Sequence, residues 1–290
     1  MKLKEIYSSN KPVISFEIFP PKGADVDEKI EALFIELKKL CKYNPSFISV
    51  TYGAGGSTRE RTLELVLKIK NELHVPPMPH FTCVGTTRKE ILDYLKLVAD
   101  AEILNILALR GDPPLGETEF KKPEDGFGFA NELTEYIRAN TDLGIAVAGY
   151  PEGHKDCGSI ELDIINLKRK VDAGADVIIT QLFYDNSYFF DFIERVEKAG
   201  ISVPVIPGIM PITNIAQTEK MATLCGAKMP DKLVRQLAKF ENDKDSAKQA
   251  GIEYALVQCR ELLDNNVKGL HFCTLNKADV SSIILNALSL

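Results

Sequence analysis

Eight short apolar runs, each followed by an amphipathic stretch, constrain the fold of this chain more than any other feature. The runs are rich in Val, Ile and Phe and are bounded by Gly, Pro or charged residues, which is typical of β-strands. They cover residues 13–19, 47–52, 79–84, 104–109, 144–150, 176–183, 203–209 and 269–275. The stretches between them carry apolar residues at helical spacing, such as Ile30, Leu33, Leu37 and Leu40.

Eight strand–helix units in 290 residues predict an α/β fold, the (β/α)8 TIM barrel. Residues 230–264 hold two further helical patterns, which predict an extra helix before the eighth strand. A doubly wound parallel sheet is the alternative, because the sequence does not show whether the helices cover one face or two. No linker or low-complexity segment divides the chain, so we expect residues 1–290 to form a single barrel domain.

The composition argues against several classes of function. Lys and Arg number 35 against 41 Asp and Glu, and the resulting net charge of −6 disfavours a binder of nucleic acid or anionic membranes. We find neither an apolar run long enough to span a bilayer nor a signal-peptide pattern. The six cysteines lack C-x-x-C pairing, which is typical of free, buried thiols in a reducing compartment. These features predict a cytoplasmic protein.

Polar residues at the C-terminal ends of barrel strands line the active site in this fold. Along the first strand, alternation directs Ser15 and Glu17 into the barrel and Ile14, Phe16 and Ile18 toward the helices. A carboxyl beside aromatic residues should have a raised pKa, so Glu17 is a candidate general acid. Pairing of Glu17 with a buried Arg or Lys is the alternative.

Other strand ends carry groups that suit ligand binding. Arg110, Gly111 and Asp112 end the fourth strand and offer a cation, bare backbone and a carboxylate, although a self-paired Arg110–Asp112 turn is equally compatible. Gln181 ends the sixth strand and can hydrogen-bond a heterocyclic ring. Residues 53–56 (Gly-Ala-Gly-Gly) resemble a phosphate loop without matching G-x-G-x-x-G, and a flexible turn is the alternative.

The remaining polar residues point away from two common chemistries. The four histidines are not grouped as metal ligands, and Gly-x-Ser-x-Gly is missing, so metal-dependent and serine hydrolysis are disfavoured. A lone histidine such as His80 is more often structural. Asp163, Asn166 and Lys170 share one helical face, for which solvent exposure is the simplest interpretation. The site therefore suits a large planar cofactor with little protein-borne chemistry.

A series of short motifs extends from residue 13 to residue 276. They are SFEIFPP (15–21), FISVTYGA (47–54), ALRGD (108–112), YPE (150–152), NLKRK (166–170), DAGA (172–175), TQ (180–181), PGI (207–209), HF (271–272) and TLN (274–276). In type and order they resemble the 5,10-methylenetetrahydrofolate reductases of the bacterial single-domain type. Because nothing follows Leu290, we expect the catalytic barrel alone.

The resemblance implies a barrel that binds FAD non-covalently at its C-terminal mouth. It implies reduction of 5,10-methylenetetrahydrofolate to 5-methyltetrahydrofolate by hydride transfer from reduced FAD. The electrons would come from NADH, NADPH or a partner electron-donor protein, with neither nucleic acid nor membrane as partner. A homo-oligomer is compatible with the sequence. A lyase or aldolase on the same fold, or a noncatalytic barrel subunit, is the alternative.

The resemblance also implies roles for individual residues. Glu17 matches the general acid that protonates the folate nitrogen, and Asp112 matches a carboxylate near flavin and pterin. Residues that match FAD contacts are Thr51, Tyr52, Ala54, His80, Arg110, Gly111, Asp112, Ala130, Tyr150, His154, Asp163, Asn166, Arg169 and Lys170. Arg169 and Lys170 would supply positive charge to the pyrophosphate. On the folate side the matches are Gln181, Gln217, Met221 (a Phe in the family pattern) and Lys277 (an Arg).

Overall fold

The strands form a closed parallel barrel in the computed structural model, which describes residues 1–9, 11–53, 59–113, 122–240 and 242–290. They are β1 Val13–Ile18, β2 Phe47–Val50, β3 Pro77–Thr82, β4 Asn105–Leu109, β5 Gly144–Gly149, β6 Val177–Thr180, β7 Val205–Ile206, β8 Gly208–Ile209 and β9 Gly269–Cys273. β7 pairs with β6 and β8 pairs with β9, so β7 and β8 are two halves of the seventh barrel strand. Pro207 interrupts them because proline has no N–H to donate to the ladder. The predicted (β/α)8 barrel is confirmed.

Helices surround the barrel and follow the strands in alternation. They are α1 Leu3–Ile6, α2 Val26–Leu40, α3 Arg59–Lys68, α4 Arg88–Asp100, α5 Ala130–Asn140, α6 Ile160–Asp172, α7 Asn186–Lys198, α8 Ile215–Cys225, α9 Asp231–Ala238, α10 Lys244–Asp264 and α11 Asp279–Leu288. Between β8 and β9, α9 and α10 follow α8, which confirms additional helical structure before the eighth barrel strand. Within the described ranges, we find no helix that is both long and apolar enough to cross a membrane.

Two of the apolar clusters lie on opposite sides of the barrel wall. Ile14, Phe16 and Ile18 belong to the larger core between strands and helices, as the alternation along β1 predicts. A smaller cluster inside the barrel includes Leu3 and Phe47, so α1 closes the end opposite the mouth. The closed floor leaves the C-terminal ends of the strands as the open side of the barrel.

The six cysteines are free thiols in this structure. Cys83 and Cys259 are buried, whereas the other four are half-buried, so the expectation of buried thiols holds for two of them. Burial raises the pKa of Cys83 and of Cys259 to about 12, so both thiols are neutral at pH 7.

Candidate active site

A cavity of about 330 Å³ opens at the C-terminal ends of the strands. Its wall brings together predicted site residues from most of the barrel, namely Glu17, Thr51, Tyr52, His80, Arg110, Gly111, Asp112, Tyr150, His154, Gln181 and Met221. These residues lie far apart in the sequence, and the closure of the barrel is what makes them neighbours. The structure thus brings these residues to one cavity, and their roles stay predictions.

The other predicted residues lie around this cavity. Gln217 and Lys277 line a second cavity of about 190 Å³, and Cys273 lines both cavities. Ala130 is the first residue of α5 and does not line the main cavity. Ala54 and most of the glycine run at residues 53–56 lie outside the described residues, so the phosphate-loop interpretation stays a prediction.

Glu17 lies deep in the main cavity, between two histidines from other strands. Its Oε2 is 3.4 Å from His80 Nε2 and 3.7 Å from His271 Nε2, and 20% of its side-chain area is exposed. Burial by itself would raise the pKa of Glu17, but contacts with His271, His80 and the Cys273 thiol outweigh it and lower the pKa. The expectation of a raised pKa for Glu17 is therefore wrong. The alternative of an Arg or Lys partner is wrong too, since imidazoles occupy that place.

His271 and Cys273 line the cavity, although no role was predicted for either of them from the sequence. In β9 they alternate with the buried apolar residues Leu270 and Phe272, which belong to the larger core. The same period-two rule that directed Glu17 into the barrel places His271 and Cys273 there. This alternation in the sequence could have predicted both residues. Cys225 of α8 also lines the cavity, but no sequence pattern predicts its position.

The buried imidazole of His80 should make stability sensitive to acid. Burial lowers the pKa of His80 to about 4, although the charge of Glu17 opposes the shift. Between about pH 6.5 and pH 4 the unfolded chain therefore binds a proton here that the folded chain does not, so stability falls as the pH falls. We expect His80→Asn to remove up to about 3 kcal/mol of this loss. Urea unfolding at pH 7 and pH 4.5 measures it.

A matched substitution on the surface controls for the loss of a histidine as such. His74 is exposed and has a φ of 55°, a conformation that asparagine tolerates well. His74→Asn should lose as much stability between the two pH values as the wild type. Equal acid losses in His80→Asn and the wild type would contradict the assignment to His80.

Arg110 and Asp112 do not pair with each other in the described contacts. Arg110 Nη2 donates instead to Asp156 Oδ2, 2.7 Å away in the loop after β5, so the self-paired turn is wrong. Gly111 between them has a φ of +92°, and a Cβ there would lie 2.7 Å from Val84 Cγ1, so only glycine fits. Asp112 is exposed at the cavity mouth.

The charge of Asp112 is felt across the cavity. Burial raises the pKa of Tyr150 first, and the charges of Asp163 and Asp112 raise it further. The same carboxylate contributes to the raised pKa of Cys225, after burial and the charge of Glu17. Asp112 therefore makes the potential at the cavity wall more negative, which is the property expected of a carboxylate that stabilises a cation.

One face of α6 lies against the back of the cavity wall. Lys170 Nζ donates to the Ala148 carbonyl at 2.5 Å and lies 5.6 Å from the centre of the Tyr150 ring. Asp163 is buried and accepts a hydrogen bond from the His154 N–H at 3.2 Å. Burial lowers the pKa of Lys170 to about 8, although the charge of Asp163 opposes this. A solvent-exposed face is therefore wrong for Asp163 and Lys170.

Two neighbouring residues of α6, Asn166 and Arg169, are more accessible to solvent. Arg169 is exposed, and its Nη1 donates to Asn166 Oδ1 at 2.9 Å. Asn166 is half-buried, with its amide 3.8 Å from Cys157 Sγ. The helix thus presents one half-buried cation behind the cavity wall and one solvated cation beside it.

Fold and site together define the class of protein. The chain is a TIM barrel whose mouth joins one deep carboxyl to aromatic, amide and cationic groups, and no cluster of three metal-ligating side chains occurs in the part of the chain that the structure describes. Such a site suits a planar organic ligand. The chain matches the methylenetetrahydrofolate reductase family over residues 2–289, and it belongs to that family.

Individual relatives support the family assignment. The chain is 39% identical over 293 residues to methylenetetrahydrofolate reductase (NADH) 1 of Arabidopsis thaliana, covering 97% of this chain and 49% of the relative. It is 36% identical over 275 residues to 5,10-methylenetetrahydrofolate reductase of Escherichia coli K12, covering 95% of this chain and 90% of the relative. The chain thus spans about half the length of the plant relatives it matches.

A solved structure supports the fold independently. An uncharacterized protein from Clostridium thermocellum, which binds two copies of 5-methyl-5,6,7,8-tetrahydrofolic acid, superposes with a TM-score of 0.64 and 14% identity. The match covers 99% of this chain and 98% of that one. At this identity the likeness concerns the barrel alone.

Proposed function

We propose that this protein is a cytoplasmic flavoenzyme that reduces 5,10-methylenetetrahydrofolate to 5-methyltetrahydrofolate. FAD would bind at the barrel mouth, and NADH, NADPH or a partner protein would supply the electrons. One observation carries the proposal: in a member of this family, Glu17 lies deep in a cavity whose rim holds Asp112 and Gln181. A proton donor, a carboxylate and an amide are thereby available to a single planar substrate.

The residues around the cavity fit FAD in three respects. Its wall is largely aromatic and aliphatic, with Tyr52, Leu109, Tyr150, Ile179 and Leu182, and this suits a ring system. His80 Nε2 is buried without a hydrogen-bond partner among the described residues, so a ligand atom can satisfy it. The cations Arg110 and Lys170 lie on the β4–β5 side and suit a diphosphate.

The positions matched by resemblance would then hold the cofactor. They are Thr51, Tyr52, Ala54, His80, Arg110, Gly111, Asp112, Ala130, Tyr150, His154, Asp163, Asn166, Arg169 and Lys170. When bound, FAD supplies hydride transfer, a chemistry that no amino-acid side chain provides.

The chain's own residues would bind the folate and move one proton. Glu17 would protonate the folate nitrogen so that the five-membered ring opens, and Asp112 would stabilise the positive charge that results. Gln181 would hydrogen-bond the pterin, and Met221 would pack on a ring as a polarizable side chain. Removal of water by the bound substrate would raise the pKa of Glu17, as an acid requires.

A second cavity supports the position of the folate tail. Gln217 and Lys277 lie together in it, and Cys273 joins it to the main cavity that holds Glu17. Lys277 is exposed and can pair with a carboxylate as a point charge. The substrate would therefore extend from Glu17 past Cys273 toward Lys277.

The test of the function begins with the purified protein. We expect a yellow protein with a flavin absorption band, which NADH, NADPH or a reductant protein bleaches under anaerobic conditions. Addition of 5,10-methylenetetrahydrofolate should restore the band and yield 5-methyltetrahydrofolate. A folded protein that takes up no FAD would support the noncatalytic barrel, and substrate cleavage without any flavin change would support a lyase.

Arg169→Ala combined with Lys170→Ala should weaken FAD binding by roughly 10- to 100-fold, because two cations near the proposed diphosphate are lost. High salt should weaken the remaining binding further, since screening reduces the attraction of the charges that are left. Flavin retained after gel filtration in high salt is the measurement. Lys168→Ala is the control on the same helix, because Lys168 pairs with Asp172 at the surface. Wild-type retention in the double variant would place the diphosphate elsewhere.

A further inference from the structure

His271 is held in one orientation on the floor of the cavity. Its Nδ1 lies 2.7 Å from Ser15 Oγ, and its Nε2 lies 3.4 Å from Ser49 Oγ. The imidazole stacks on the ring of Phe47 with 5.7 Å between centroids, and 4% of the His271 side chain is exposed. Because both serines are fully buried, solvent does not compete for these contacts.

The Nε2 edge of this imidazole faces both Ser49 and the proposed acid. His271 Nε2 lies 3.7 Å from Glu17 Oε2, the same oxygen that His80 Nε2 approaches to 3.4 Å. The distance to His271 exceeds that of an ordinary hydrogen bond. At 3.7 Å the attraction between the Nε2–H dipole and the carboxylate is weaker than in a hydrogen bond, but it still favours the anion and orients it.

The register of the barrel fixes these neighbours. Within β1 and β9, Ser15 is paired with His271 and Glu17 with Cys273, so the serine and the carboxylate lie on either side of the imidazole. The titratable groups that face Glu17 are His80 from β3, His271 and Cys273 from β9, and Cys225 from α8.

We propose that His271 is a positioning residue for the reduction, which orients the Glu17 carboxyl and donates from Nε2–H to its anionic form. The inference rests on the proposed function, because His271 acts only through Glu17. The hydroxyl of Ser15 can donate to Nδ1, which leaves the ring proton on Nε2 and directs it at the carboxylate. The proton that leaves Glu17 goes to the folate nitrogen, and the remaining carboxylate accepts the Nε2–H.

The charges at the site agree with this role. Burial opposes the Glu17 anion, and the contact with His271 is the largest influence that lowers the Glu17 pKa against it. His80 is the weaker support at neutral pH, because burial lowers its pKa to about 4 and leaves it uncharged. Without His271, burial should dominate and raise the pKa of Glu17.

Two amide substitutions distinguish the contact that His271 makes through Nδ1 from the contact that it makes through Nε2. Asparagine places its amide near the position of Nδ1 and keeps the contact with Ser15, but it does not reach Glu17. Glutamine places its amide near Nε2 and keeps the contact with Glu17. We therefore expect His271→Asn to change the behaviour of Glu17 and His271→Gln to restore most of it.

The measurement is the pH dependence of the step in which 5,10-methylenetetrahydrofolate reoxidises the reduced flavoprotein. Activity should fall as the pH rises through the pKa of Glu17, and this fall should move up by about one pH unit in His271→Asn. In His271→Gln the displacement should be less than half as large. Reduction of the flavin by its donor should keep the wild-type rate in both, and His74→Asn on the surface should leave the profile unchanged.

An infrared titration provides a readout that does not need turnover. The carbonyl band of protonated Glu17, identified by its loss in Glu17→Gln, should persist to a higher pH in His271→Asn. An unchanged band and an unchanged profile in a folded, flavin-loaded His271→Asn would overturn the inference, as would equal displacement in the Asn and Gln variants. If His271→Asn does not fold, Ser15→Ala is the second variant, and it should displace the titration of Glu17 in the same direction. An unchanged Glu17 titration in Ser15→Ala would overturn the inference.

These results are distinguishable from a failure of the proposed function. If Glu17→Gln keeps a near wild-type rate, Glu17 is not the acid, whatever the His271 variants show. If Glu17→Gln is inactive while His271→Asn titrates like the wild type, only the role of His271 is wrong.

Discussion

Glu17→Gln is expected to keep its flavin and to lose most reduction of 5,10-methylenetetrahydrofolate, by about 10²- to 10⁴-fold, the usual contribution of a general acid. The amide has nearly the shape of the carboxyl but cannot release a proton at neutral pH. Since Glu17 touches histidines rather than a buried Lys or Arg, the substitution leaves no unpaired cation behind. The fold should therefore tolerate the change.

The comparison of two half-reactions makes this result specific. Flavin reduction by the donor should proceed at a rate close to the wild type, whereas reoxidation by the folate should be slow at every pH. Glu102→Gln is a matched control, because Glu102 is 84% exposed and pairs only with Lys70 among the described residues. Folate reduction near the wild-type rate in Glu17→Gln would show that another group delivers the proton.

The sequence predicts the barrel and the direction of Glu17 because both depend on local periodicity. Alternation along β1 is enough to separate Glu17 from Phe16, and the structure confirms it. The environment of Glu17 is a different matter, since it depends on the pairing of β1 with β9 across more than 250 residues. The raised pKa of Glu17 was predicted from the aromatic residues near it in the sequence, whereas its actual neighbours include His271 and Cys273 of β9.

Loop contacts were harder to predict than strand contacts. The pairing of Arg110 with Asp156 joins the ends of two strands through a loop whose path has no periodic signal. Lys170 illustrates the reverse case, because its helical face was identified while its burial was not. A lysine on an amphipathic helix is usually solvated, and only the position of β5 and Tyr150 shows that this one points inward.

One helix has too short a pattern to be predicted from the sequence. α1 has four residues, fewer than a periodicity of 3.6 can reveal, although its Leu3 is fully buried in the barrel floor. α11 carries a usable signal in Val280, Ile284 and Leu285, which line its buried face. Periodicity in the sequence can therefore predict the outer helix α11, but it cannot predict the short helix α1 that closes the floor of the barrel.

Asp112→Asn is expected to raise the reduction potential of the bound flavin and to slow the folate half-reaction. A carboxylate near the flavin disfavours added electrons, so removing its charge stabilises the reduced form, and each 1.4 kcal/mol corresponds to about 30 mV for a two-electron couple. The same carboxylate should stabilise the cation that forms once Glu17 has delivered its proton. Because Asp112 is exposed and water screens its charge, we expect a rate loss of roughly 10- to 100-fold, less than for Glu17→Gln.

The structure sharpens the test because Arg110 is paired with Asp156 rather than with Asp112. Asp156→Asn therefore removes a carboxylate that closes the loop, whereas Asp112→Asn removes one at the cavity mouth. If Asp112 tunes the reaction electrostatically, a potentiometric titration should show an upward displacement in Asp112→Asn and a smaller one in Asp156→Asn. An unchanged midpoint in a folded, flavin-loaded Asp112→Asn would leave this carboxylate with no part in setting the potential, and the slow folate step would then need another cause.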